Sequence, residues 1–571
     1  MKKIFLYTAA ALATVCLAAS CDDILDQKPT TSFSDASVWS DLALSKTYLN
    51  AQYQDIYSEL QKDSRFSNFT IEVLQQWAYG TTNVTNSLIS PDSPGLAASW
   101  DVTMGNPWKY HYKCINKINL FLENIDNVPG DDTERNLQKG QGLFLRAWNY
   151  HMLYAYYGRV PIVTHTYALD SEFKESRADM DAVADFIVKD LDDAASLLPV
   201  SWSGKDFGRI TKGAALALKA RVLMLKASPL YDEAGKGKDQ SRWQAAAAAC
   251  KAVIDLGVYS FKEAKTSDEY SALFFDPQNP EAIFEKLFDP NYGAGSKMAW
   301  WHQAPCGIGD GFQGWGTYDP SQNIVDYFEM ADGTKAVKVD TVHLEAGKTP
   351  WEGRDIRMYS DILFDGDLWG YGQDEREVEV FLKGDENTVS GKDSPEGAYY
   401  WNASKTGYHM RKFLNRAYDM NGTVEDETPW FFIRYAEIVL DYAECQIELG
   451  NYSEALNYIN MTRTRCGMPA YTDASSYDAV WAEYDYERRI ELLFEGQRWF
   501  DMRRWKKLQD EYNNETLWGC VVTKYSDGSK GYNLHNFVAT RRFPDEKYYW
   551  LPVPREELNR SSLIDGKPYE N

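Results

Sequence analysis

The stretch WFFIRYAEIVLDYAECQIELGNYSEALNYINMTRTRCG, residues 430–467, constrains this chain more than any other. Phe432, Tyr435, Ala436, Val439, Tyr442, Ala443 and Ile447 recur at the spacing that puts side chains on one face of a helix. Gly450 and Asn451 turn the chain, and Ala455, Leu456 and Ile459 then share one face of a second helix. Small residues such as Ala443 and Ala455 let the two helices approach closely. A single hairpin cannot bury its own apolar face, so this one demands stacked neighbours.

The neighbours are legible. Helical patterning recurs at about 41–62, 106–127, 136–157, 178–197, 211–227 and 241–256. TKGAALALKARVLMLKA (211–227) is built from strong helix formers. Gly158 and Gly257 are placed as helix stops. GNYSEAL (450–456) matches the turn and second-helix signature of the tetratricopeptide repeat. Residues 213–227 with 241–256, including Trp243 and the run Ala245 to Ala249, form a second such hairpin, and 108–157 a degenerate third. Between 257 and 430 the helical period fades into Gly, Pro, Asp and aromatics, with strand-like pieces such as EVEVFLKG (377–384). The predicted fold is mostly α: tetratricopeptide-type helical hairpins with a large loop-rich insert carrying short strands. Its parts are 41–256 and 431–571 (helical) and 257–430 (loop-rich, the expected ligand-binding region), in one compact unit.

The N-terminus addresses the chain elsewhere. MKKIFLYTAAALATVCLAAS has two lysines, an apolar run and small residues, the pattern of a secretory signal peptide over 1–20. AASC then ends at Cys21, which resembles a bacterial lipobox, with Ala18 in place of the usual leucine. Cys21 is therefore expected to carry lipid and anchor the protein to a membrane, with 21–40 as anchor and tether. Asp22 and Asp23 resemble the acidic export signal of surface lipoproteins. Loss of Lys2 and Lys3 with the leader takes the formal charge from −24 to −26, which repels nucleic acid. The cysteines beyond the anchor (Cys114, Cys250, Cys306, Cys445, Cys466, Cys520) include no CxxC pair, so a zinc ribbon is not expected. Cys250 and Cys445 sit in helical patterns and read as small packing residues.

Catalytic signatures do not surface. HExxH, GxSxG, Walker A and a helix-opening GxGxxG do not occur, and the histidines are scattered singly. Asp365 and Asp367 in FDGDLWGYG hint at calcium but lack the twelve-residue loop spacing. No catalytic residue, metal or cofactor is expected. In ERRIELLFEGQRWFDMRRW (487–505) the charges recur at three and four, so Glu491 and Glu495 read as members of a charge-laced structural helix rather than an acid–base couple.

That last stretch also carries a likeness. Together with AASCDD, FLRAWNYHMLYAYYGRVPIV (144–163), GRITKGAALALKARVLM (208–224), VDYFEMADGT (325–334), GRDIRM (353–358), RYAEIVLDYAECQIELG (434–450) and LPVPREEL (551–558), it resembles the SusD/RagB family of outer-membrane nutrient-binding lipoproteins. The resemblance implies a non-catalytic, cell-surface lipoprotein that binds oligosaccharide and closes over a SusC-like TonB-dependent transporter. A minority of such proteins bind peptides, which is the alternative ligand class; a tetratricopeptide scaffold for another protein is a further alternative.

Aromatics make up 14% of the chain, with 19 Trp. A sugar ring has an apolar C–H face on which a flat aromatic can stack, so tryptophans in wet loops are candidate platforms. AWWHQAPCGIGDGFQGWG (299–316) offers Trp300, Trp301, Phe312 and Trp315, with His302, Gln303, Asp310 and Gln313 as polar partners. An earlier cluster offers Trp77, Tyr79, Asn83 and Trp100, whereas Trp108 opens a helix and reads as packing. Trp351, Trp369 and Trp401 are weaker candidates. The expected ligand set is Trp301, Trp315, Trp300, Trp77, Trp100, Asn83, Gln303 and Asp310.

Overall fold

The structure, a computed structural model, describes residues 35–57, 66–77, 80–99, 101, 103–167, 172–298, 314–370, 375–398, 400–416 and 425–570. The long helices are α1 (Leu42–Tyr53), α2 (Pro107–Ile125), α3 (Asp132–Tyr157), α4 (Met180–Leu197), α5 (Lys212–Ala227), α6 (Gln240–Ile254), α7 (Tyr435–Glu448), α8 (Tyr452–Arg465), α9 (Tyr477–Glu491) and α10 (Gln497–Arg504). The strands used below are β1 (Val73–Gln75), β2 (Ala282–Lys286), β3 (Tyr318–Pro320), β4 (Thr341–Leu344), β5 (Leu382–Lys383), β6 (Trp430–Arg434), β7 (Thr516–Lys524) and β8 (Lys530–Thr540).

Local chemistry sets these helices. Asn106 caps α2 by accepting from Lys109 N, with Pro107 in the first turn. Asp131 caps α3, and Asp132 and Glu134 favour its positive N-terminal end. Gly158, at φ 65°, ends it. Between α7 and α8, Gly450 takes φ 79° and Asn451 N donates to Gln446 O at 2.8 Å. The hairpins α2–α3, α5–α6 and α7–α8 stack in series, with α4 between α3 and α5, α7 against α6, and α9 against α7 and α8. Cys250 and Cys445 are buried in this stack as free thiols, as are Cys114, Cys466 and Cys520.

The insert is woven into the helices. β2 pairs antiparallel with β6, which leads into α7. Phe284 and Phe432 from those strands pack against Phe144 and Trp148 of α3. Within 431–571, expected as a tetratricopeptide-like helical part, the chain after Arg504 is mainly strands and loops. β7 and β8 form a long antiparallel hairpin in a sheet of order β4–β8–β7–β5. Leu517, Cys520 and Val522 are its inward residues, and bulges at 517–518 and 519–521 interrupt the alternation that would have announced a strand. EVEVFLKG is only partly a strand, at β5 and at Arg376–Glu377.

The C-terminal end closes back on the N-terminal half. Arg541 donates to Thr70 O and Val73 O, both at 2.7 Å, and Leu551 N donates to Tyr156 O at 2.9 Å. Arg177 reaches Asp565 and Lys567 O. No helix among the described residues is long and apolar enough to cross a membrane.

Candidate functional site

β1 and β3, far apart in sequence, form a three-residue antiparallel ladder, extended when Gln76 N donates to Thr317 O at 3.0 Å. Where the two strands splay, each contributes a half-buried tryptophan. Trp77 follows β1 and Trp315 precedes β3, and their rings meet edge to face, with centroids 6.4 Å apart and planes at 81°. The quadrupoles of two indoles favour that arrangement over a sandwich.

A second aromatic pair is stitched to the first. Asn402 Nδ2 donates to Gly314 O at 3.1 Å, tying the residue after Trp401 to the residue before Trp315. Gln76 Nε2 donates to Ala403 O at 3.1 Å, and Lys405 Nζ to Gln76 O at 2.9 Å. Tyr400 and Trp401 therefore project from a short 3-10 turn at this edge, 63% and 42% exposed, with centroids 5.3 Å apart at 82°. The loop behind them is seated on β7, where Cys520 N donates to Thr406 O at 2.7 Å. Gly519 permits this: a Cβ there would stand 2.8 Å from Thr406 Cα.

Beneath the ladder lies Asp319, fully buried, whose Oδ2 accepts from Lys405 N at 3.0 Å. Burial pushes its carboxyl up to about 8, against the pull of the Lys405 amide and Ser404. His409, also fully buried, stands with Nδ1 4.0 Å from Asp319 Oδ1 and is held down to about 4 by burial. Burial thus favours the uncharged form of both groups under the aromatic edge.

The sequence candidates divide as follows. Trp77 and Trp315 are brought together. Asn83 lies in the short helix Thr82–Thr85, and its amide points to Ser93 Oγ at 3.4 Å. Trp100, Trp300, Trp301, Gln303 and Asp310 lie outside the described residues, as does Cys21. Trp351 and Trp369 are corrected: each is 1% exposed, and Trp351 packs among Phe364, Tyr408 and Tyr532. Trp108 is buried at the start of α2. Tyr400 was not singled out from sequence; the run YYW before Asn402 was its only signal. The two aspartates of the calcium hint have protein partners. Asp365 pairs with Lys530 Nζ at 2.5 Å and Asp367 accepts from Phe364 N at 3.0 Å.

The charged stretch 487–505 is not one surface helix. It breaks into α9 and α10 at Phe494 and Gly496, both with positive φ, and its charges are buried. Arg434 binds Glu491 at 2.7 Å and Glu495 at 2.7 Å. Arg465 joins Glu281 to Glu491, and Arg357 joins Asp355 to Glu487. Arg488 links Asp441 and Asp501. Although burial opposes it, Arg465, Arg434 and Arg357 hold Glu491 far below the usual carboxylate range. A carboxylate so locked is no proton donor.

Comparison with known proteins agrees with this architecture. A sequence model described as "Starch-binding associating with outer membrane" matches residues 23–224. A SusD-like protein of Formosa agariphila is 23% identical over 514 residues, spanning 86% of this chain and 88% of its own. A SusD-like crystal structure from Bacteroides fragilis superposes with TM-score 0.78 at 27% identity, covering 95% of this chain and all of the other. A laminarin-binding SusD-like protein shares the fold at TM-score 0.63 and 20% identity, covering 93% and 99%. The SusD family model itself matches residues 280–569, more than half the chain, and the protein belongs to that family.

Proposed function

We propose that this protein binds oligosaccharide at the outer face of the outer membrane, without chemical turnover, and passes it to a SusC-like TonB-dependent transporter. Its ligand surface is the edge carrying Trp77, Trp315, Tyr400 and Trp401. The observation that carries the reading is the convergence of two aromatic pairs, from three separate parts of the chain, on one partly open edge of a member of a family with carbohydrate-binding relatives. Tyr400, 63% exposed, meets Trp401 at a near right angle, which suits a pyranose laying one apolar face on the first ring with the second at its side. Trp300, Trp301, Gln303 and Asp310 precede Trp315 in the chain, and we assign them to the same surface, with Trp100 and Asn83 at its margin. Lipid on Cys21 supplies the anchor.

The test is affinity electrophoresis in gels containing laminarin, starch and other polysaccharides. Retardation by at least one glycan is expected, reduced at least tenfold in affinity by Trp315→Ala and by Trp401→Ala with unchanged melting temperature. Unaltered mobility of the parent protein in every gel, or of both variants relative to it, would overturn the reading.

A further inference from the structure

A second cavity lies away from the aromatic edge, between α2, α3, α5, α7 and α10. It holds about 110 Å³ and is lined by His111, Trp148, His151, Phe432, Gln497 and Phe500 among others. The two histidines present opposite hydrogen-bonding characters. Asn149 Nδ2 donates to Leu145 O at 2.9 Å, which leaves Asn149 Oδ1 to accept from His111 Nδ1 at 2.9 Å. His111 Nδ1 therefore carries its proton, and Nε2 is a lone-pair acceptor. His151 is 4% exposed, and its Nδ1 is sealed with no partner among the described residues. A sealed N–H without an acceptor costs about 1–3 kcal/mol, so the proton belongs on Nε2, the nitrogen that is not sealed. The wall thus offers one acceptor and one donor. Gln497 adds an amide with no hydrogen-bond partner among the described residues, beside the rings of Trp148 and Phe500.

Charge selects the class of guest. The arginines of the wall are already neutralised: Arg221 by Glu437, Arg488 by Asp441 and Asp501, Arg504 by Glu444. Burial holds His111 down to about 4, and His151 well below its ordinary value, so neither is a cation at neutral pH. The remaining carboxylates of the wall are matched too, Asp55 by Lys117 and Glu495 by Arg434 and Lys412, so neither an anion nor a cation finds an unmatched counter-charge. A void of about 150 Å³ accommodates benzene, so this one takes about four to six non-hydrogen atoms.

We propose that this cavity is a second ligand site, for a small uncharged polyol whose hydroxyl donates to His111 Nε2 and accepts from His151 Nε2, with its carbon skeleton against Trp148 and Phe500. A hydroxyl can do both through one oxygen. The site does not rest on the glycan reading.

Saturation-transfer NMR on the full chain with glycerol as the probe tests this, alongside acetate and methylammonium. Glycerol is expected to bind saturably, at least tenfold more tightly than either ion, and to remain bound when laminarin is added. His151→Phe, which fills the cavity, and Gln497→Leu, a milder change that keeps the core intact, should each weaken glycerol at least tenfold. Absence of saturable transfer would mean that the cavity holds water alone and would overturn the proposal. So would displacement by laminarin, equal binding of the ions, or unchanged binding in both variants.

Discussion

Asp319 shows what one buried side chain does to the pH response. Its folded value of about 8 lies above the 3.8 of an exposed aspartate, so the native state holds a proton that the unfolded chain releases. Stability from this group is fully present below about pH 4 and falls as pH rises towards 8, by about 1.4 kcal/mol per pH unit within that window. Asp319→Asn removes the titration while keeping an acceptor for Lys405 N. Its urea midpoint should gain on that of the parent from pH 5 up to about pH 8 and then level off; a constant gap across that range would refute the assignment. At this scale the sequence was half readable. Trp77 and Trp315 stand out as aromatics in glycine-rich surroundings, but so do Trp351 and Trp369, which are core. Composition around a ring is the same whether later segments fold over it or leave it open. The meeting of Trp77 with Trp315 depends on a ladder too short to leave an alternation in either strand.

Helices were the readable elements, because a period of 3.6 persists over many turns and caps mark the ends. The burial of charge in α9 and α10 was not readable. Glu487, Glu491 and Arg488 have the spacing of surface pairs, and their true partners, Arg357, Arg434, Arg465 and Asp441, come from other elements. Removing one partner of a buried pair strands the other, at about 3–5 kcal/mol. Glu491→Gln, facing three arginines, should fall in that range by chemical denaturation, and a loss under 1 kcal/mol would show the network to be dispensable. β7 makes a different demand. Gly519→Ala must push the Thr406 backbone away, at about 1–3 kcal/mol. Because Tyr400 and Trp401 ride on that loop, the variant should also bind glycan more weakly although residue 519 touches no ligand. Intact affinity would detach the loop from the site.

Across the whole molecule, contacts join the C-terminal region to the N-terminal one. Arg489 binds Glu72 at 2.7 Å, Arg503 donates to Ala155 O at 2.9 Å, and Arg541 holds the backbone on both sides of Ile71 and Glu72. With the insert tied in by the β2–β6 pairing and by Arg357 on Glu487, the three sequence regions share one interior, and calorimetry of the intact protein should record a single endotherm; two resolved transitions would show that the helical parts melt apart. There is also a temporal side to the Arg541–Thr70 bond, which spans 471 positions. A ribosome delivers Thr70 long before Arg541 exists, so β1 can pair with β3 earlier, but its tie to the C-terminal region closes only when most of the chain has been made. If the chain is exported and binds sugar as we propose, that delay keeps it threadable in transit and closes this seam beside Trp77 only after arrival.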